Sequence, residues 1–425
     1  MSSPSTTAPV ADHKLRIAMV AACPFPANYG SPASIREMSI TLSRMGHEVF
    51  VLTYPYGQNL PLEGVHLLRV GSQQEKEIKV GPSWRKPFHD LKMVFALVAL
   101  IRRERIDLIH AHNYEGALVG ILGKWLTGKP LLYNAVNTMR DELAEYKFIR
   151  PKWLSNMLAK FLDWFVPRPP DFITAVSKEL EAQLVREGIP AHKVTTVPAG
   201  VHPDLFNHQD DQRFRRELGL GNTPIVMYAG TLGGFQGTQY LYRAFAETLK
   251  EVPEARLAMV MPIDEGPTVD SEKARTRELG FEDRVLWIGP HALKDLPDYL
   301  GMADVAVVPR PDCPGHPVKL LNYMCAGRAI VTFAGSAKGI EHEVNGLVAA
   351  DHDCVAMGSA IARLLKDEPL RKRLGAAAHE TLMRDYTWES ICRKIVSCYH
   401  RILPVSKTSM PQKRKSECEG SRRAA

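Results

Sequence analysis

Short, unbroken apolar runs alternating with amphipathic segments constrain this chain more than any other feature. Leu15 to Ala22, Val49 to Tyr54, Val65 to Val70, Leu108 to Ala111, Pro130 to Asn134, Phe172 to Ala175 and Val194 to Val197 are strand-length runs. Most are apolar on both faces, as strands of a parallel sheet covered on both sides must be. Between them lie segments of helical period. In the first of these, Ser31 reads as N-cap and Pro32 as first helical residue; Ile35, Met38, Leu42 and Met45 share one face, and Gly46 ends it. The alternation predicts an α/β fold with helices packed on both faces of the sheet.

The pattern pauses once, over residues 198–211, where turn residues replace periodicity. It then restarts with strands at Ile225 to Gly230, Arg256 to Met261, Val285 to Gly289, Asp304 to Val308 and Ala329 to Phe333. A chain of 425 residues divides naturally into two domains of this size. The expected division is a first domain over 14–205, a second over 206–387, and a last amphipathic helix at 388–403. Residues 1–13 and the Lys/Arg/Ser-rich tail 404–425 have no apolar face and are expected to be disordered. Two doubly wound sheets in sequence can turn the carboxyl ends of their strands toward a shared cleft, where ligands bind.

Composition narrows the function classes. Lys+Arg of 54 against Asp+Glu of 47 leaves only +7, too small an excess to indicate a nucleic-acid partner. The seven cysteines form no CxxC pair, which points to reduced thiols in a cytoplasmic protein. The N-terminus has no secretory signal pattern, and the longest apolar run, Met93 to Ile101, is half a bilayer span. HExxH, GxxxxGKS and GxGxxG are missing. Asp351-His352-Asp353 precedes a helix, so Asp353 reads as an N-cap and no metal is expected.

The segment Asp304 to Phe333 carries the most chemistry. It reads as a buried strand, a Pro/Gly-rich loop, a short helix from Val318 and a second strand. The loop Gly315-His316-Pro317 feeds a helix N-terminus, which presents unpaired N–H groups and partial positive charge. Lys319, Asn322 and Tyr323 lie on the first turns of that helix. An ordinary βαβ unit with a solvated lysine fits the same residues, as does a phosphate-binding site. In the first domain, His112 closes a strand at its cleft edge, and His110 shares its face as the packed partner. Gly30 and Ser31 open the first helix, either as simple caps or as a point of close ligand approach.

In their order these landmarks resemble the retaining, nucleotide-sugar-dependent glycosyltransferases of family 4, which have the GT-B fold. The resemblance rests on Asn28-Tyr29-Gly30-Ser31-Pro32, Arg44 to Val49 (RMGHEV), Asp107 to His112 (DLIHAH) and Val197 to His202 (VPAGVH). It continues through Tyr228 to Leu232 (YAGTL), Phe235 to Gly237 (FQG), Pro314 to Gly327, Asn345 to Leu347 (NGL) and Tyr386 to Glu389 (YTWE). It covers Leu15 to Leu403. It implies two Rossmann-like domains about a central cleft, with the last helix crossing back to the first. The implied reaction moves a sugar, with retention, from a nucleotide diphosphate to a glycan or lipid-linked acceptor. No cofactor is implied beyond the donor substrate itself.

The departures from the family pattern are specific. Pro314 and Asn322 stand where the family has its glutamate pair, and Thr231 and Gln236 where it has the diphosphate-binding Arg and Lys. Asn322 can still hydrogen-bond ribose hydroxyls, and Asp312 is a candidate for the sugar contact. Countercharge for pyrophosphate is then expected from Lys319 first and Arg310 second, with Gly233, Gly234 and Gly237 keeping the adjacent loop open. Pro317 and Val318 complete the donor side. Val136 stands in place of the family's first-domain histidine, leaving Asn137 or His112 to take its contact. Two alternatives stay open: a non-catalytic nucleotide-sugar-binding subunit, and a nucleotide-sugar epimerase of the same fold.

Basic and aromatic residues also interleave in the first domain. Lys76, Lys79, Trp84, Arg85, Lys86, Phe88, Lys92, Arg102 and Arg103 form one group; Lys147, Arg150, Lys152, Trp153, Lys160, Trp164 and Phe165 form another. They fit solvated amphipathic helices, or peripheral contact with anionic lipid at the inner face of a membrane.

Overall fold

The computed structural model describes residues 14–27, 30–71, 86–140, 152–206, 212–290, 295–311, 313 and 317–404. The expectations for Asp312, Gly315 and His316, for residues 1–13 and for the tail beyond Pro404 lie outside the described residues, as do Lys76, Lys79, Trp84, Arg85, Lys147 and Arg150.

The first domain runs β1 (Arg16–Ala21), α1 (Gly30–Arg44), β2 (Glu48–Thr53), β3 (Val65–Arg69), α2 (Lys86–Arg103), β4 (Leu108–His112) and α3 (Asn113–Thr127). It continues with β5 (Leu131–Ala135), α4 (Lys152–Phe165), β6 (Phe172–Ala175), α5 (Lys178–Arg186) and β7 (Val194–Thr196). Its seven strands are all parallel, in the order β3-β2-β1-β4-β5-β6-β7.

The second domain runs α6 (Arg213–Glu217), β8 (Ile225–Ala229), α7 (Thr238–Glu251), β9 (Arg256–Val260), α8 (Pro267–Glu278), β10 (Val285–Ile288), α9 (Leu296–Gly301) and β11 (Val305–Val308). Then come α10 (Val318–Cys325), β12 (Ala329–Phe333), β13 (Leu347–Ala349), α11 (Cys354–Lys366) and α12 (Glu368–Asp385). Six parallel strands lie in the order β10-β9-β8-β11-β12-β13. The sixth, β13, is only three residues long, too short for periodicity to announce it.

Both strand orders reverse direction at one place. In the first sheet the switch falls between β1 and β4, in the second between β8 and β11. Chain leaving adjacent strands at such a point turns to opposite faces and opens a crevice at their carboxyl ends. The strands are packed from both sides, with Ile17, Val20, Leu108 and Leu131 in the first sheet and Val226, Val305 and Val331 in the second fully buried. Each such side chain contributes roughly 1.5–3 kcal/mol on burial.

The final helix, α13 (Trp388–Ile402), leaves the second domain and packs on the first. Its buried face, Trp388, Ile391, Cys392, Ile395 and Tyr399, joins Ile17, Met19, Ile35 and Leu42 in one cluster. The two chain crossings pair with each other: Val201 N–H donates to Tyr386 O at 2.9 Å, and Trp388 N–H to Val201 O at 3.2 Å. His202 and Glu37 meet at 2.8 Å beside them, and Lys338 of the second domain binds Glu179 of the first.

Asp353 caps α11, its Oδ1 accepting from Ala356 N–H at 2.9 Å, while Asp351 accepts from Gly335 N–H. Both carboxylates are thus engaged by main chain. Asp353→Ala is expected to lower unfolding free energy by about 1 kcal/mol in urea titration, the usual value of an N-cap. No change in the midpoint would show the cap to be dispensable.

Candidate active site

Lys319 is the centre of the second domain's crevice. It stands on the first turn of α10, and its side chain crosses from the end of β11 to the end of β8. There its ammonium donates to Tyr228 Oη at 2.7 Å and to Gln236 Oε1 at 2.8 Å, and lies 4.0 Å from the centroid of the Tyr228 ring. Tyr228 Oη in turn donates to Thr231 O at 2.6 Å, so its proton is committed and its lone pairs face the lysine. Burial and the nearby Arg310 guanidinium pull Lys319 down to about 7. The hydrogen-bond partners of the amine are neutral and the neighbouring charge is another cation. An anion would complete the arrangement.

Two glycines allow this approach. A Cβ at Gly230 would sit 3.0 Å from Lys319 Nζ, and Gly230 has φ +147. At Gly237 a Cβ would fall 2.1 Å from Pro309 O, at φ +79. Only glycine lets the loop after β8 press against the end of β11 there. Gly233, with φ +127, opens the short turn Gly234–Gln236 that carries Gln236 to the lysine. Thr231 is exposed beside it.

Tyr323 does not face a ligand alongside Lys319. It is fully buried, and its hydroxyl accepts from Ala229 N–H at 2.8 Å. Pairing between β8 and β11 covers only Val226 and Met227, so Tyr323 satisfies the strand end where the two strands part. Asn322 is half-buried on the next turn of α10. Val318, the first residue of that helix, is 65% exposed, and Pro317 stands at its N-cap with no side-chain cap bond. Arg310 follows β11, with its guanidinium 5.9 Å from the Phe235 ring and its carbonyl held by Ser336 Oγ.

On the first-domain side, Gly30 is exposed at φ +55 and begins α1. The helix starts two residues earlier than the Ser31-Pro32 signal implies, with Gly30 itself at positive φ. His112 departs from expectation. It does end β4 at the switch point, but its side chain has no exposure and burial lowers it to about 3. Its ring lies 4.2 Å from that of His110, tilted by 33°, and its Nδ1 lies 3.3 Å from Asn134 Nδ2, which leads on to Thr174. His110 bonds Tyr399 of α13 at 2.7 Å. Both imidazoles are therefore neutral; His110 packs against α13, and His112, fully buried beside it, does not open onto the cleft.

Asn137 is half-buried after β5, beside a small cavity lined by Tyr114, Tyr133, Thr138 and Asp163. Asp163 had no role assigned from sequence. It is buried on α4 and accepts from Tyr114 Oη, from Met139 N–H at 2.7 Å and from Arg140 Nε at 2.8 Å. Its signal was a lone aspartate on the inward face of an apolar helix. Tyr228 was also missed; a tyrosine near the end of a buried strand must find a hydroxyl partner, and that demand was its clue.

The family model described as Glycosyltransferase Family 4 matches residues 30–205, and that described as Glycosyl transferases group 1 matches residues 210–381. The D-inositol 3-phosphate glycosyltransferase of Corynebacterium diphtheriae is 25% identical over 310 residues, covering 69% of this chain and 70% of that protein. The N-acetyl-alpha-D-glucosaminyl L-malate synthase of Bacillus anthracis is 23% identical over 385 residues, covering 89% and 96%. Among solved structures, Anabaena HepE in complex with UDP superposes with a TM-score of 0.69 at 16% identity, over 91% of this chain and 100% of that one. Two parallel-sheet domains joined through α13, with matches spanning each domain in turn, leave one conclusion: the chain belongs to glycosyltransferase family 4 and is a hexosyltransferase of the GT-B fold.

Proposed function

We propose that this glycosyltransferase moves a hexosyl group, with retention, from a nucleotide-diphosphate sugar to a glycan or lipid-linked acceptor, at the cytoplasmic face of a membrane. The observation that carries the reading is Lys319, held by Tyr228 and Gln236 at the switch point of the second sheet. Placing one cation there supplies the countercharge that Thr231 and Gln236 cannot. In the reaction the bond from the sugar's anomeric carbon to the β-phosphate oxygen breaks. The acceptor oxygen bonds the same face, and its proton passes to the departing phosphate. The chain's task is to hold the charge that develops on the leaving diphosphate, which Lys319 does with support from Arg310 and the start of α10. Neither metal nor organic cofactor is needed for that. Asn322 faces the ribose, Asn137 serves the acceptor side, and His112 acts only by fixing Asn134.

Incubation with a panel of UDP- and GDP-sugars, with and without glycan and lipid-linked acceptors, tests the proposal. Because Anabaena HepE was solved with UDP, uridine donors come first. Diphosphate release that depends on acceptor, with the anomeric configuration kept by NMR, is the expected result. Donor binding without turnover across the panel would favour a binding subunit, and an inverted product would end the retaining mechanism.

A further inference from the structure

The outward faces of α2, α3 and α4 are strongly apolar. Phe88 and Phe95 on α2, Trp125 on α3, and Trp153, Phe161 and Trp164 on α4 are each more than half exposed. These helices lie side by side on one face of the first sheet. α2 and α3 pack together, and Trp125 meets Phe165 of α4 edge-on at 6.4 Å. On α4 the exposed positions 153, 157, 161 and 164 recur at helical spacing, so they form one stripe. Soluble monomers seldom expose apolar patches beyond a few hundred Å² without a partner for them.

Charge selects among partners. Among the described residues of the three helices no exposed side chain is Asp or Glu, whereas Lys92, Arg102, Arg103 and Lys160 are exposed. The acids nearest the face are turned to neighbours: Asp90 accepts from Tyr54 Oη, Glu115 from Lys86, and Glu104, just past α2, from Arg103. Tryptophan and phenylalanine mixed with cations, with no exposed carboxylate among the described residues of these helices, suit the boundary between anionic headgroups and acyl chains.

Orientation relates this face to the cleft. Helices α2, α3 and α4 begin at the strands' carboxyl ends: Lys86 bonds Glu115 just after β4, and Asp90 meets Tyr54 just after β2, so Phe88 and Trp153 lie toward those ends, and Trp125 and Trp164 toward the far end. A flat surface resting on the three helices would therefore reach the mouth of the cleft.

We propose that the α2–α3–α4 face inserts its aromatic side chains into the interfacial layer of an anionic bilayer and seats the enzyme there. This deepens the proposed function on its acceptor side, since a lipid-linked acceptor would be presented at that surface. Insertion of rings, with cations at the rim, makes binding partly resistant to salt.

Co-sedimentation of the full chain with phosphatidylglycerol-containing vesicles, without donor, tests this independently of turnover. Wild type should pellet and keep a substantial bound fraction at about 0.5 M salt, where surface charge is screened. The variant Trp125→Ser/Trp153→Ser/Phe161→Ser should lose at least about tenfold in partition, since each ring removes a large buried area. Its thermal melting and its diphosphate release with a water-soluble acceptor should be unchanged. Wild type failing to pellet, or the variant pelleting equally, overturns the proposal. So does sedimentation equilibrium showing a wild-type dimer that the same substitutions convert to monomer, which would make the face a protein interface. The sedimentation and melting outcomes do not depend on whether the transfer reaction itself is the one proposed.

Discussion

Lys319→Ala should reduce kcat/KM for sugar transfer by about 10²–10³-fold, the usual effect of removing one preorganised contact to developing charge. Binding of the free nucleotide diphosphate should weaken about tenfold, as expected for one charge-assisted hydrogen bond. The larger loss falls on the rate because charge on the leaving group grows in the transition state. The pH dependence has a definite sign. In the free protein the amine titrates near 7, so above that pH the diphosphate must recruit a proton as it binds. Affinity should fall by up to about tenfold per pH unit above 7 and flatten below it, and the alanine variant should lose that slope. Stability should move in the opposite sense. The lysine is lowered from 10.5, so the cost of burying its charge is fully present below pH 7 and disappears as pH rises to the unfolded value. Lys319→Met should therefore melt at higher temperature than wild type at pH 6, with the gap closing toward pH 10. A kcat/KM within about threefold of wild type would remove Lys319 from the chemistry.

The fold was legible because its signals are local and repeated. Runs such as Ile17 to Ala21 and Val305 to Val308 are apolar on both faces, and only a covered parallel sheet accommodates many of them. The helix α13 was legible as an amphipathic segment after the second domain, but its crossing came only from the family resemblance, since its partners, Ile17 and Leu42, lie more than three hundred residues earlier. Lys319 could be picked out because a cation at a helix start beside a Pro/Gly loop suits an anion, although a solvated lysine fitted the same residues. The geometry around it could not. Nothing in the spacing of Tyr228, Gln236 and Lys319 says that a strand-end phenol and a loop amide will hold the amine, since that contact depends on how closely Gly237 lets two loops approach. His112 misled for a related reason. A strand's carboxyl end marks the crevice, but side chains alternate, and this one turns inward against His110, which itself meets Tyr399 of α13.

Asp163→Ala should cost about 3–5 kcal/mol of folding free energy, the range for removing one member of a buried charged network. The carboxylate is 2% exposed and accepts from four groups: Tyr114 Oη, the N–H groups of Met139 and Arg140, and the Arg140 guanidinium. Arginine 140 is partly solvated and also binds Glu187, so it would stay satisfied. The cost instead comes from a buried phenol and main-chain amides left without an acceptor, each worth about 1–3 kcal/mol. The substitution also separates the two sides of the cleft. Asp163 ties Met139 and Arg140, two and three residues after Asn137, to α4, and its recorded bonds all lie within the first domain. Releasing that tie should raise KM for the acceptor severalfold while nucleotide diphosphate binding stays at the wild-type value. Asp163→Asn keeps one acceptor oxygen for the amides but turns an N–H group toward Arg140, so its loss should be about half that of alanine. Urea titration beside steady-state kinetics with varied acceptor measures both effects. A loss under about 1 kcal/mol with unchanged acceptor KM would mean that water replaces the carboxylate, and that the segment after Asn137 is held by its own packing.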